Sequence, residues 1–238
     1  MKTLCRKNPY LMIAAAAVMV ISLTGIGAAQ TEASQVKVPE NVLNPLIGET
    51  QQHFHQAASM FSKGDNQGAA SEIRSAAALL SLEAGRQGAA NRSGLESSVT
   101  ELDDLADKVS RGEVTSQSDL NQPFAHADLA LGTHYREMAD KSLADNHHAA
   151  AGRWLKASAD SVDDAAGWVG QSPTTAQAVA RDQVRALENK IRNGATWTTG
   201  EAKKGVGYLG SQIQYLGGQM QSLGGGSSGS SNNSSSTH

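Results

Sequence analysis

Cysteine is almost missing from this chain. The single one among 238 residues is Cys5, which stands before an apolar run rather than at its end, so it is not placed for lipid attachment at a mature N-terminus. If the first 29 residues are removed, no disulfide, thiolate metal ligand or cysteine nucleophile remains. Aromatic residues are scarce as well, at 4%. With alanine abundant, that scarcity favours close-packed helices over a sheet. No run of clustered Lys and Arg occurs, which argues against nucleic acid as a partner, because phosphate binding rests largely on such clusters. Enzymatic signatures are missing too: no Gly-x-Ser-x-Gly elbow, phosphate loop, dinucleotide fingerprint or His-Glu-x-x-His is found, and no cofactor is called for.

What is present begins with an export signal. Lys2, Arg6 and Lys7 form a basic start, Leu11 to Ile26 an uncharged apolar stretch, and Gly27-Ala28-Ala29 a small-residue cleavage site. A retained membrane anchor is the alternative, weakened by Ser22, Thr24, Gly25 and Gly27 in the second half of the stretch. Cleavage before Gln30 takes the 20 basic residues to 17 against 23 acidic ones, a formal charge of −6. The expected location is periplasmic or secreted.

Apolar periodicity then divides the chain. A segment 30–44 is expected to be flexible, 45–194 to form a helical domain, 195–223 an amphipathic helix, and 224–238 a Gly, Ser and Asn tail without fixed structure. Asn44-Pro45 can open a first helix running to about residue 63. Ala69, Ile73, Ala76, Ala77, Leu80 and Ala84 make the stripe of a second. Ser93 to Glu96 reads as a capping box for a third. A fourth starts near Ser118 and carries Pro123 in its first turns. Ala151, Leu155, Ala159 and Val162 line a fifth, and Ser172-Pro173 opens a sixth. The predicted fold class is all-α, an antiparallel bundle of helical hairpins with a C-terminal amphipathic helix.

Two of these hairpin segments overlay at an offset of 82 residues, Phe61 falling on Leu143, Ile73 on Leu155, Ala77 on Ala159, Leu80 on Val162 and Ala84 on Ala166. All are core positions by helical period, so duplication and convergence both account for them. The run FSKGDNQGAASEIRSAAALL and the later MADKSLADNHHAAAGRWLKASADSVDDA resemble the hairpins of YfdX-like exported bacterial helical proteins. The resemblance covers about a third of the chain. It implies an all-helical periplasmic protein tied to stress or envelope upkeep, and it carries over no catalytic residue.

Candidate chemistry rests on histidine. Glu49 and His53, spaced i and i+4, can share a ligand or a hydrogen bond, and His147-His148 follow the Asp145-Asn146 turn; these four are the candidate metal ligands. His134 and Glu137 form a further pair, in the reverse order of the di-iron Glu-x-x-His signature. The alternative for all of them is a surface or core-edge histidine. Trp154, Ser161 and Trp168 align on a second face of the fifth helix, as expected of a helix packed on two sides. Asp103-Asp104 and Asp163-Asp164 read as solvated faces.

The C-terminal helix has the most regular pattern. After a Thr198 to Glu201 capping box, Val206, Leu209, Ile213, Leu216, Met220 and Leu223 form an a/d heptad seam. Three placements compete: docking on its own bundle, contact with a protein partner or a second copy, and lying on a membrane surface, which the lack of Lys and Arg after Lys204 disfavours. The function expected is non-enzymatic binding or scaffolding outside the cytoplasm, with the seam as the partner contact. A His-based metal-binding bundle is the alternative, and an unrecognised hydrolase ranks below it.

Overall fold

The computed structural model describes residues 48–86, 89–172 and 174–224. Among them stand seven helices and no strand: α1 (Glu49–Ser62), α2 (Asn66–Ala84), α3 (Arg92–Ser110), α4 (Gln117–Ala144), α5 (His148–Trp168), α6 (Thr175–Arg192) and α7 (Thr199–Gly224). The all-α bundle of hairpins is thus as expected. The signal 1–29, the segment 30–44, the Asn44-Pro45 start, Pro173 and the tail beyond Gly224 lie outside the described residues. Among the described residues no helix is long and apolar enough to cross a membrane.

Local chemistry explains most helix starts. The Asp65 carboxylate accepts the Gly68 amide at 2.9 Å to open α2. Ser116 opens α4 in the same way, at the Asp119 amide. Thr174 and Gln177 cap α6 reciprocally, so that helix owes its start to Thr174. At α7 the expected box forms: the Glu201 amide donates to Thr198 Oγ1 at 3.1 Å and the Thr198 amide to Glu201 Oε2 at 2.7 Å. The box expected at Ser93 does not form. Helix α3 begins at Arg92, after Asn91 in the left-handed region at φ 50°, so Ser93 is already helical and cannot cap. The Asn91 amide instead donates across to the Ala130 carbonyl of α4 at 3.1 Å.

The repeat extends well beyond the two matched segments. At the same offset α2 falls on α5, α3 on α6, and the start of α4 on the start of α7. The turns agree in backbone conformation: Gly64 (φ 79°) corresponds to Asn146 (φ 59°), and Gly112 (φ 70°) to Gly194 (φ 67°). Their hydrogen bonds agree as well, Asp65 N to Met60 O matching His147 N to Ser142 O, and Glu113 N to Lys108 O matching Ala195 N to Lys190 O. Neighbouring helices pack in the same order in both copies, each helix on the next. These helix ends are the common Schellman form, which also closes α5 at Gly170 (φ 67°, Gln171 N to Ala166 O), so the agreement fits duplication and convergence alike.

The core follows from this arrangement. Phe54 of α1 stacks on Phe124 of α4 with ring centroids 4.5 Å apart. Helices α4 and α5 approach closely because Gly132 has no side chain: a Cβ there would lie 3.1 Å from Val162 Cγ2. Trp154 and Ser161 are fully buried and Trp168 is half-buried, so α5 is covered on two sides. Helix α7 docks on α4, α5 and α6, burying Val206, Leu209, Leu216 and Met220.

Candidate functional site

Two polar clusters interrupt the core. The first borders an open groove of about 690 Å³ between α1 and α5. Helix α1 contributes Gln51, Gln52, His55 and Gln56, α5 contributes Asp160, Asp163 and Asp164, and Arg185 of α6 and Lys63 complete the rim. Gln51 lies three residues before Phe54 and therefore on the buried face of α1. It is only 7% exposed; its amide nitrogen donates to Ser161 Oγ at 3.0 Å, while its Oε1 has no hydrogen-bond partner.

Beneath this end of the groove sits Asp128 of α4, wholly buried. The Trp168 indole N–H donates to its Oδ2 at 2.9 Å, and its Oδ1 is unpartnered. Burial, reinforced by the nearby Asp164 charge, pushes the Asp128 carboxyl well above the ordinary carboxylate range, which favours the protonated acid. The ring of His55 packs on Trp168 with centroids 4.8 Å apart, and the same indole meets Phe124 edge-on at 5.3 Å. A chain of contacts thus links groove rim to core.

The three groove carboxylates differ in their surroundings. Asp163 accepts from Arg185 at 2.8 Å and faces Arg181 at 3.5 Å. Asp160 pairs with Lys156 and with Arg185. Asp164 has no ion-pair partner among the described residues; burial is the main cause that raises its pKa, with the Asp160 and Asp163 charges adding and His55 opposing. The expectation that Asp163-Asp164 forms a solvated face is therefore corrected: both are partly buried, since α6 and α1 flank that side of α5. Asp103 and Asp104 are exposed as expected.

The second cluster joins the end of α2 to α4. Glu83, Arg86 and His134 are nearly or wholly buried. His134 Nε2 and Arg86 Nε stand 3.3 and 3.5 Å from Glu83 Oε2, close enough for charge attraction but without hydrogen-bond geometry. His134 Nδ1 lies 2.8 Å from the Ala90 carbonyl and so acts as the donor there. The Arg86 guanidinium lies over the Trp154 ring at 4.7 Å, and Tyr135 stacks on Trp154 with ring centroids 5.6 Å apart. Both Arg86 terminal nitrogens lack partners. Burial, then the Glu83 charge, raises the Tyr135 pKa well above its ordinary value.

The residues expected to bind metal are not brought together. His53 Nδ1 meets Glu72 of α2 at 2.5 Å rather than joining Glu49. His147 and His148 are exposed at the start of α5, His148 lying edge-on to Trp197 at 4.9 Å. Among the described residues no group of three or more His, Cys, Asp or Glu could hold a metal ion. His134 turns inward to Glu83, and Glu137 takes Arg136 instead. Of the heptad seam, Val206, Leu209, Leu216 and Met220 are buried against the chain's own bundle and Ile213 partly so, the first of the three placements. The side chain of Leu223 lies outside the described residues.

Asp128, Glu83, Arg86 and Gln51 escaped attention in the sequence. A signal existed for three of them: Asp128 follows Phe124 by four, Glu83 follows Leu80 by three, and Gln51 precedes Phe54 by three, each a polar residue on an apolar stripe. Arg86, beyond the end of α2, had none. No family model, curated protein or solved structure matches this chain.

Proposed function

We propose that this chain is an exported, non-enzymatic helical binding protein whose binding surface is the groove between α1 and α5. One observation carries the reading: an open groove of about 690 Å³, large enough for a small organic molecule, is lined by charged and amide side chains of both signs, among them Asp160, Asp163, Asp164, Lys63 and Arg185. The signal read in residues 1–29 and the resemblance to YfdX-like proteins support a role in the bacterial envelope. With the seam of α7 covered by the chain itself, the groove replaces that helix as the contact surface.

The test is hydrogen–deuterium exchange on the purified chain, with and without the small-molecule fraction of the cell envelope. Slower exchange confined to α1 (Glu49–Ser62) and the facing part of α5 is the expected result. Unchanged exchange there would overturn the reading. Cell fractionation with N-terminal sequencing addresses export: a product starting at Gln30 outside the cytoplasm is expected, and an intact cytoplasmic chain contradicts it.

A further inference from the structure

We infer that Asp128 and Gln51 form a proton-dependent latch: a proton on the Asp128 carboxyl of α4, donated to the Gln51 amide carbonyl of α1, holds α1 against α4 and α5, and its loss lets α1 lift from them. The latch belongs to the helix packing and stands whether or not the groove takes a ligand.

Two oxygens in the core lack a donor. Gln51 Oε1 and Asp128 Oδ1 are buried and without a hydrogen-bond partner, while the other polar atom of each group is engaged. Gln51 Nε2 donates to Ser161 Oγ at 3.0 Å, and the Trp168 indole donates to Asp128 Oδ2 at 2.9 Å. Ser161 and Trp168 lie on one face of α5, about two turns apart, and the Gln51 side chain also acts directly on the Asp128 carboxyl. An ionised carboxylate offers acceptors alone, whereas the protonated acid has a donor. One proton on Asp128 therefore serves both oxygens; without it two buried acceptors stay unpaired, which is costly.

The surrounding groups favour that proton. Asp164 of α5 repels a second negative charge, and burial penalises it further. From α1 comes His55, whose ring packs on Trp168, and on α4 itself Tyr135 stands near enough to feel the Asp128 charge. His126, two residues before Asp128, turns to Glu101 of α3, and α7 brings the apolar Leu216 and Met220 to this part of α4.

The hold of α1 on α4 and α5 runs through a short strip. Gln51 meets Ser161, Phe54 stacks on Phe124, and His55 packs on Trp168, all within little more than one turn of α1. Asp128 is wholly buried, so water reaches its charge when that strip lifts. The closed helix keeps a proton that the open one, with its carboxyl back near the ordinary 3.8, gives up. Opening thus becomes about tenfold easier per pH unit as pH climbs from that value toward the raised one.

The experiment is hydrogen–deuterium exchange of the full chain from about pH 4 to about pH 7, each rate being divided by that of unstructured peptide at the same pH. Protection of α1 (Glu49–Ser62) is expected to fall about tenfold per pH unit and to remain below that of α5. In Asp128→Asn, which keeps an acceptor for Trp168 and gains an amide donor for Gln51, α1 protection should not change with pH. Asp164→Asn and His55→Gln should retain most of the dependence. A pH-independent α1 in wild type, or the same dependence in Asp128→Asn, would overturn the latch. So would α1 protection equal to that of α5 at every pH, since the helix then opens with the whole domain. Circular dichroism checks folding, and Gln51→Met supplies a second variant: it should lower α1 protection roughly tenfold at the acid end with α5 unchanged, and wild-type protection there would equally refute the inference.

Discussion

Two joints at equivalent positions, 82 residues apart, are filled in opposite ways. Where α2 meets α4, the joint holds Glu83, Arg86 and His134; where α5 meets α7, the residues at the same offset are Ala165, Trp168 and Leu216. The second joint packs them into an apolar cluster with Ala125, Val162 and Met220. Equivalent positions therefore accommodate both a buried polar cluster and an apolar one. Buried ion pairs can be replaced by well-packed apolar residues without loss of stability, and the second joint holds such an apolar cluster at the equivalent place. The same holds one turn away. Asp128 on α4 corresponds to Gly210 on α7, so the buried acid under the groove also belongs to one copy alone.

The sharpest way to break this comparison is to mutate the first joint toward the second. Arg86→Ala alone leaves Glu83 buried without its cation and should cost about 3–5 kcal/mol by chemical denaturation. The combined Glu83→Ala, Arg86→Trp, His134→Leu variant should recover most or all of that loss. If the triple variant is as unstable as the single one, the two joints are not interchangeable and the correspondence does not extend to their packing.

A smaller effect is expected at the α4/α5 contact. Gly132→Ala places a Cβ 3.1 Å from Val162 Cγ2 and should destabilise by about 1–3 kcal/mol. Gln214 occupies the matching position of α7 and is exposed; Gln214→Ala should change the unfolding midpoint little. Equal effects at the two positions would show that α4 and α7 are packed alike.

Asp128 gives a pH-dependent test. Because its folded pKa is raised from 3.8, the folded state keeps a proton that the unfolded state gives up, and stability falls as pH climbs from that ordinary value toward the raised one. Asp128→Asn removes the titration yet can still accept from Trp168. The variant should gain thermal stability over wild type at neutral pH, with the gain shrinking toward zero below about pH 4. A gain independent of pH would contradict the assignment.

The smallest effect concerns His126 and Glu101, 3.0 Å apart across α3 and α4, where the matching residues Tyr208 and Gln183 form no such pair. The hydrogen bond to Glu101 raises the His126 pKa above 6.5. The stability it adds is full below that ordinary value and is lost as pH rises through the raised one. Melting temperature followed from pH 5 to 8 should show a slightly steeper decline for wild type than for His126→Gln. The difference should be small, because both groups are about one-third exposed and screened by water.

Helix existence and most helix ends were legible in the sequence, since they depend on residues close together along the chain. The spacing of Ile73, Ala77 and Leu80, the Thr198 to Glu201 box and the Gly64-Asp65 turn all act within a few residues. Ser93 does not cap for a long-range reason: Asn91 is drawn to the Ala130 carbonyl on α4, which fixes the start of α3 two residues earlier. The groove was not legible because its parts come from α1, α5 and α6. Asp164 looks like any surface aspartate until the partners of Asp160 and Asp163 are known.

By itself, then, the sequence determined an all-helical chain with two similar hairpins and an amphipathic C-terminal helix, because periodicity, caps and turn residues act through local backbone geometry. Tertiary structure alone decided which polar residues are buried, which carboxylate lacks a cation, and that the α7 seam covers its own bundle. Those outcomes depend on desolvation and on charges brought near by folding, and neither is a property of sequence neighbours.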